Sequence, residues 1–192
     1  MQRAIFLDRD GTLIEDQKYE FRPSQIRFMD GVTDGLKALR QAGYKLVIIT
    51  NQSGVARGLF GEEQVREMHA RLADALADQG VPIDAFYYCP HHVDGIVPEY
   101  AVDCECRKPK PGMILEAADD LELDLAASWV IGDICADVEA GCRAGCRTVL
   151  VDGNGTELSQ NRCNPTYVAR NFAQAARLVL SHKPGEANGQ GH

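Results

Sequence analysis

Five short apolar runs recur along the chain, at Ala4–Leu7, Lys45–Ile49, Ala85–Tyr88, Trp129–Ile131 and Thr148–Val151, with helix-like stretches between most of them. This alternation constrains the fold more than any other feature. Runs of this kind read as strands buried on both faces, and the intervening helices supply the cover. The expected architecture is therefore α/β, a doubly wound parallel sheet. One helix follows Asp30-Gly31 and passes through Leu36 and Leu39 to Gly43, a suitable stop. A second covers Glu62 to Gln79, with Val65, Met68, Leu72 and Leu76 on one stripe, so Met68 and Leu72 read as core. A third begins at Pro111, which suits a first helical turn, and runs to about Leu121.

The ends of the runs matter most for function. Leu7 leads into Asp8, Ile49 into Thr50-Asn51, and Ile131 through Gly132 into Asp133. Open parallel sheets bind ligands beyond the carboxyl ends of their strands, so these polar residues are expected to share one crevice.

A length of 192 residues supports one domain, expected over residues 1–182, with residues 183–192, rich in Gly and polar residues, as a disordered tail. No apolar run approaches a membrane span, and Asp8 comes too early for a signal peptide, so the expectation is a cytosolic protein, monomeric, with no membrane partner. The net charge of −8, from 20 basic and 28 acidic residues, argues against a nucleic-acid partner, because phosphate backbones need clustered cations. Seven cysteines cannot all pair, and a cytosolic setting keeps thiols reduced. Cys89, Cys104 and Cys106 cluster, whereas Cys135, Cys142, Cys146 and Cys163 do not share their loop; Cys142 and Cys146 read as small core residues.

Asp8-Arg9-Asp10-Gly11-Thr12 places two carboxylates two residues apart just past a strand, followed by a turn-permitting Gly. A calcium loop would need an acid or amide, a Gly and a Glu where Thr12, Leu13 and Tyr19 stand, so that reading fails. With Thr50 closing the second strand, Lys108, and Gly132-Asp133 with Asp137, the chain resembles the haloacid dehalogenase-like phosphatases. The resemblance implies a Rossmann-like fold and magnesium-dependent hydrolysis of a phosphate monoester through an aspartyl-phosphate. Asp8 would be the nucleophile and Asp10 the general acid and base, while Thr50 and Lys108 stabilise the phosphoryl group. Asp8, the Asp10 backbone carbonyl and Asp133 would hold Mg²⁺, which takes oxygen ligands. Asp137 either orients Lys108 or a metal-bound water, or starts a helix.

Cys89-Pro90-His91 and Cys104-Glu105-Cys106 form C-x-H-x12-C-x-C, four soft ligands suited to a closed tetrahedral, structural zinc. His92 could replace His91 by residue type; spacing in the resembled family favours His91. The zinc loop just ahead of Arg107-Lys108-Pro109 narrows the resemblance to the histidinol-phosphatase-like subfamily, compact enzymes without a large cap domain. Its members take small phosphorylated substrates, and the stretches Thr50 to Gly54, Tyr87 to His92 and Cys106 to Pro109 favour a heptose 1,7-bisphosphate over histidinol phosphate. By the same resemblance Arg107 would recognise the distal phosphate, and Asp16, Gln17, Lys18, Tyr19, Asn51, Gln52 and Ser53 would bind the sugar. Ile134 stands where some relatives carry a substrate-contacting lysine. Two other classes compete: a zinc-stabilised binding module without turnover, disfavoured because Asp8, Asp10, Thr50, Lys108 and Asp133 are all present, and a phosphatase of nucleic-acid ends, disfavoured by charge.

Overall fold

In the computed structural model, which describes residues 1–16 and 26–183, the apolar runs become β1 (Ala4–Leu7), β2 (Lys45–Asn51), β3 (Ala85–Cys89), β4 (Trp129–Gly132) and β5 (Arg147–Val151). A sixth strand, β6 (Tyr167–Ala169), completes one sheet in the order β3-β2-β1-β4-β5-β6. Every pairing is parallel. β1 is central: Ile5 lies opposite Leu46 on one side and Trp129 on the other. The chain builds outward from β1 through β2 to β3, then crosses back to β4 and continues to β6. The point of reversal, between β1 and β4, is where such sheets open a crevice.

The period of two along β1 divides the core. Ile5 and Leu7 join Leu36, Leu39, Leu72 and Phe172 on one face, while Ala4 and Phe6 join Met113, Ile114, Ala117 and Ala140 on the other. The first face is covered by α1 (Val32–Gln41), α2 (Glu62–Asp78) and α6 (Phe172–Ser181), the second by α3 (Gly112–Asp120) and α4 (Cys135–Ala144). The short α5 (Thr156–Gln160) lies between β5 and β6. With both faces covered, the fold is the doubly wound α/β type that the alternation predicts. Among the described residues no helix is long and apolar enough to cross a membrane.

Three features depart from the sequence reading. β6 and α6 are additions: β6 has three residues at the sheet edge, too few for an apolar run, with Val168 exposed. α6 did carry a signal, since Phe172, Ala175, Ala176 and Val179 are spaced along one face behind an Asn171 cap that accepts from the Gln174 N–H. Cys142 is exposed rather than core, although Cys146 is buried as expected. Cys135 and Cys163, expected to be reduced and unrelated, are joined in a disulfide, because the segment after α5 returns to the start of α4 and brings their Cα atoms within 5.5 Å. Gln17, Lys18, Tyr19 and the tail beyond Lys183 lie outside the described residues.

Candidate active site

Strand geometry assembles the acids. Asp8 follows β1, and its N–H donates to the Ile131 carbonyl of β4 at 3.0 Å, which fixes the two strand ends side by side. Asp133 follows Gly132 at the end of β4, and Thr50 lies near the end of β2. The intervening glycines are required. Gly11 has φ +87°, and a Cβ there would run into the Asp133 carboxylate; a Cβ on Gly132 would run into Asp137. Thr12 Oγ1 donates to Asp133 Oδ1 at 3.0 Å and orients it.

Lys108 arrives from the far loop and is 4% exposed. Its Nζ donates to Asp8 Oδ1 at 2.6 Å and to the Ile49 carbonyl at 3.1 Å. It also stands 2.6 Å from Asp137 Oδ1, a second buried ion pair. Asp137 Oδ2 accepts from the Ile134 N–H at 3.3 Å, so this side chain contacts both Lys108 and the backbone at the start of α4. Asn51 clamps the same lysine's backbone: its Oδ1 accepts from the Lys108 N–H and its Nδ2 donates to the Lys108 carbonyl, each at 3.1 Å.

Asp8, Asp133 and Asp137 offer carboxylate oxygens within 4.8 Å of one another. Burial pushes the Asp8 carboxyl well above its ordinary range; Lys108 pulls it down, and Asp137, Asp133 and Asp10 push it up further. Asp133 is pushed up to about 6, by burial first and Asp137 second. Burial works against the Lys108 ammonium, yet Asp137 and Asp8 outweigh it and raise its pKa. Three acids thus crowd one ammonium, an arrangement that favours a further cation.

These groups open into a crevice of about 540 Å³. It gathers Asp8, Asp10, Thr50, Lys108 and Asp133 with Asp16, Asn51, Gln52, Ser53 and Arg107 from the expected substrate set. Asn51 and Gln52 line it with their amides turned inward: Gln52 Nε2 donates to Asp10 Oδ2 at 3.0 Å and to Thr50 Oγ1 at 2.8 Å. Sequence reasoning missed the wall supplied by Phe60 and by Gln64, Val65 and Met68 of α2, and the lining position of Arg9. Met68 is buried as expected, but it belongs to this wall.

The second cluster lies where β3 ends. Cys89 closes the strand, and His91, Cys104 and Cys106 come from the following loop. The sulfurs of Cys89 and Cys104 are 3.5 Å apart, and those of Cys104 and Cys106 3.4 Å. His91 Nδ1 lies 3.4 Å from Cys106 Sγ and 3.8 Å from Cys89 Sγ. His92 is turned away: its Nδ1 accepts from the Asp94 N–H at 3.1 Å, and its Nε2 faces Arg57. His91 is therefore the histidine of this cluster.

Comparison with known proteins agrees with this geometry. Residues 105–175 match the HAD-hydrolase-like family model. D-glycero-β-D-manno-heptose-1,7-bisphosphate 7-phosphatase of Yersinia pestis is 46% identical over 177 residues, covering 92% of this chain and 94% of the relative. The enzyme of the same name from Escherichia coli K12 is 44% identical over 185 residues, covering 95% and 97%. The crystal structure of D,D-heptose 1,7-bisphosphate phosphatase from B. bronchiseptica, complexed with magnesium and phosphate, superposes with a TM-score of 0.80 at 34% identity, covering 93% of this chain and 98% of that one. With identity of this order over nearly the whole chain, and the acids, threonine and lysine gathered at the strand ends, the chain belongs to the D-glycero-β-D-manno-heptose-1,7-bisphosphate 7-phosphatase family of haloacid dehalogenase-like hydrolases.

Proposed function

We propose that the chain removes the 7-phosphate of D-glycero-β-D-manno-heptose 1,7-bisphosphate, a step in making activated heptose for surface glycans. The observation that carries this reading is that Arg107 and Lys108, adjacent in the chain, line one crevice in different settings. Lys108 is buried against the Asp8 carboxylate, whereas Arg107 is half-buried, its Nη1 on the His91 carbonyl at 3.2 Å. One cation serves the transferring phosphoryl group; the other suits a second phosphate, which a guanidinium can grip through two parallel hydrogen bonds.

The donor set fits magnesium. Asp8, the Asp10 backbone carbonyl and Asp133 are hard oxygen donors, and the Asp8 and Asp133 carboxyls, raised first by burial and then by neighbouring acids, are groups that a divalent cation would keep ionised. When bound, the ion neutralises phosphate charge and so lowers the barrier to attack by an anion. The chain's own residues do the rest. The Asp8 carboxylate attacks phosphorus; the ester P–O bond breaks, and Asp10 gives its proton to the departing sugar oxygen. Water then attacks the aspartyl-phosphate, Asp10 takes the water's proton, and Asp8 leaves as carboxylate. Thr50 Oγ1 and Lys108 Nζ hold the phosphoryl oxygens, while Asp137 and Asn51 hold Lys108.

We assign Cys89, His91, Cys104 and Cys106 to one structural zinc. The edges of 3.4–3.8 Å between their donor atoms approach those of a tetrahedron with Zn–S bonds of about 2.3 Å. All four positions are then filled, which leaves none for water or substrate. The reading is also of a capless monomer. The long connections at residues 8–31 and 90–111 are far short, in length, of a separate domain. A doubly phosphorylated sugar does not cross a bilayer, which supports action in the cytosol, and the acidic balance disfavours nucleic acid.

The test compares phosphate release, with magnesium present, from both anomers of the heptose bisphosphate, fructose 1,6-bisphosphate and histidinol phosphate. The β-heptose bisphosphate is expected to lead in kcat/KM by at least about tenfold. Equal or faster turnover of histidinol phosphate would overturn the assignment.

A further inference from the structure

Arg9, between the two acids of the first motif, is absent from the mechanism above. It is 6% exposed. Its Nε lies 3.1 Å from each oxygen of Asp10, and its Nη2 lies 2.7 Å from Oδ2. The remaining nitrogen, Nη1, is buried and has no hydrogen-bond partner among the described residues, so the donors that Arg9 does use, Nε and Nη2, are spent on Asp10. Side chains of adjacent residues in an extended segment point to opposite sides. Here the turn at Gly11 bends the chain: the Arg9 carbonyl accepts from the N–H groups of Leu13 and Ile14, both at 3.0 Å, and the fork can close on its neighbour.

Gln52 completes the arrangement from the opposite wall. One amide hydrogen goes to Asp10 Oδ2 at 3.0 Å and the other to Thr50 Oγ1 at 2.8 Å. The two Asp10 oxygens are therefore unequal. Oδ2 accepts three N–H groups, two of them from a cation; Oδ1 accepts one, shared at 3.1 Å. Charge-assisted forks are about twice as strong as neutral hydrogen bonds, so Oδ2 is anchored and Oδ1 is the oxygen with capacity to spare.

We propose that Arg9 and Gln52 are positioning residues for the general acid and base, anchoring Asp10 Oδ2 so that Oδ1 exchanges the proton with the sugar oxygen and then with water. The proposal rests on the reading of Asp10 given above. In the first step the proton on Oδ1 moves to the alkoxide as the ester P–O bond breaks. In the second, the attacking water's proton returns to Oδ1 as the P–O bond to Asp8 breaks. Through Gln52, the residue that holds the phosphoryl group, Thr50, and the residue that moves the proton are set relative to each other.

The experiment exploits the leaving group. A sugar alkoxide is strongly basic and needs a proton; 4-nitrophenolate is weakly basic and leaves without one. In Arg9→Met and Gln52→Leu, with magnesium, kcat on the sugar bisphosphate should fall about tenfold to a hundredfold, with KM moving less than about threefold. In rapid mixing with 4-nitrophenyl phosphate, the first equivalent of nitrophenolate should appear from Arg9→Met within about threefold of the wild-type rate, whereas Gln52→Leu, which also frees Thr50, should slow this step too. Arg9→Lys keeps the charge without the fork and should match Arg9→Met. Equal losses from the Arg9 variant on both leaving groups, or full rescue by lysine, would overturn the proposal. If Arg9→Met fails to fold, Arg9→Gln carries the same comparison. Wild type that hydrolyses nitrophenyl phosphate but not the heptose bisphosphate would sink the substrate assignment alone, and the contrast would then be read on an alkyl phosphate that the enzyme does accept.

Discussion

Two clusters of metal-type ligands lie at the carboxyl end of one sheet, and they are held by different means. The oxygen cluster of Asp8, Asp133 and Asp137 is fixed by β1, β4 and the start of α4, neighbours whose backbones are locked by parallel pairing and by the Asp8 N–H to Ile131 carbonyl bond. The sulfur and nitrogen cluster has one member on a strand, Cys89, and three in the following loop, whose segment from Val93 to Tyr100 is largely exposed. The sheet can build the first site unaided. On the zinc assignment proposed above, the second site would need its ion, which would stand in for a core the loop lacks. Lys108 joins the two, two residues past Cys106 and buried between Asp8 and Asp137.

The sharpest way to break this comparison is at the nucleophile. Asp8→Asn keeps the shape of a site the sheet has already built, so the fold and the zinc content should be unchanged while turnover falls by at least about a thousandfold, since an amide is a poor nucleophile. Phosphate release near the wild-type rate would sink covalent catalysis by this residue. Asp10→Asn should cost about a hundredfold, the range for a lost general acid, because the backbone carbonyl that would hold magnesium is retained. A rate within a few-fold of wild type would reject that role.

What the sequence made legible divides along the same line. Asp8, Thr50 and Asp133 could be found because strand ends in a parallel sheet converge by topology, and the four zinc-type ligands because their spacing is local. Side-chain direction was not legible. Asn51 and Gln52 sit where sugar contacts were expected, yet their amides are used on Lys108 and on Asp10 and Thr50, a choice set by three-dimensional packing. Arg9 reads as a spacer between acids until the turn at Gly11 folds it back. The Cys135–Cys163 link was hidden for a similar reason, being 28 residues apart in sequence and joined by the return of the chain after α5. β6 escaped notice because three residues carry too little pattern to outweigh their surroundings.

Arg107 tests the junction between the clusters. Arg107→Ala should lower kcat/KM on the bisphosphate by about thirtyfold, the worth of a charge-assisted bidentate contact, and leave a monophosphate within about threefold. Equal losses would favour the histidinol-phosphate class. Cys106→Ser, or chelation of the wild type, should lower activity by about tenfold or more before the sheet unfolds, since loosening the loop moves Lys108 by only a fraction of its length. The check is one zinc per chain in fresh protein, lost with activity in the variant, with the magnesium requirement intact. Full activity in the zinc-free protein would show that the loop holds Lys108 without an ion, and the contrast between the clusters would collapse.

The smallest effect sharpens the same contrast by asking what else could hold the loop. Lys110 Nζ lies 2.8 Å from Asp103 and 3.2 Å from Glu105, ion pairs that bracket Cys104 and Cys106 and look well placed to brace them. Both acids are largely exposed, at 76% and 84%, so water and salt screen the attraction, and ordering three long side chains offsets what remains. Lys110→Ala should therefore leave zinc content and turnover unchanged and move the unfolding midpoint by no more than about 2 °C, with or without added salt. A loop held by sulfur and metal would be indifferent to this lysine. If Lys110→Ala released zinc or cost activity as Cys106→Ser does, surface charge would be bracing the approach to Lys108, and the ion would no longer be the element that distinguishes the loop from the sheet.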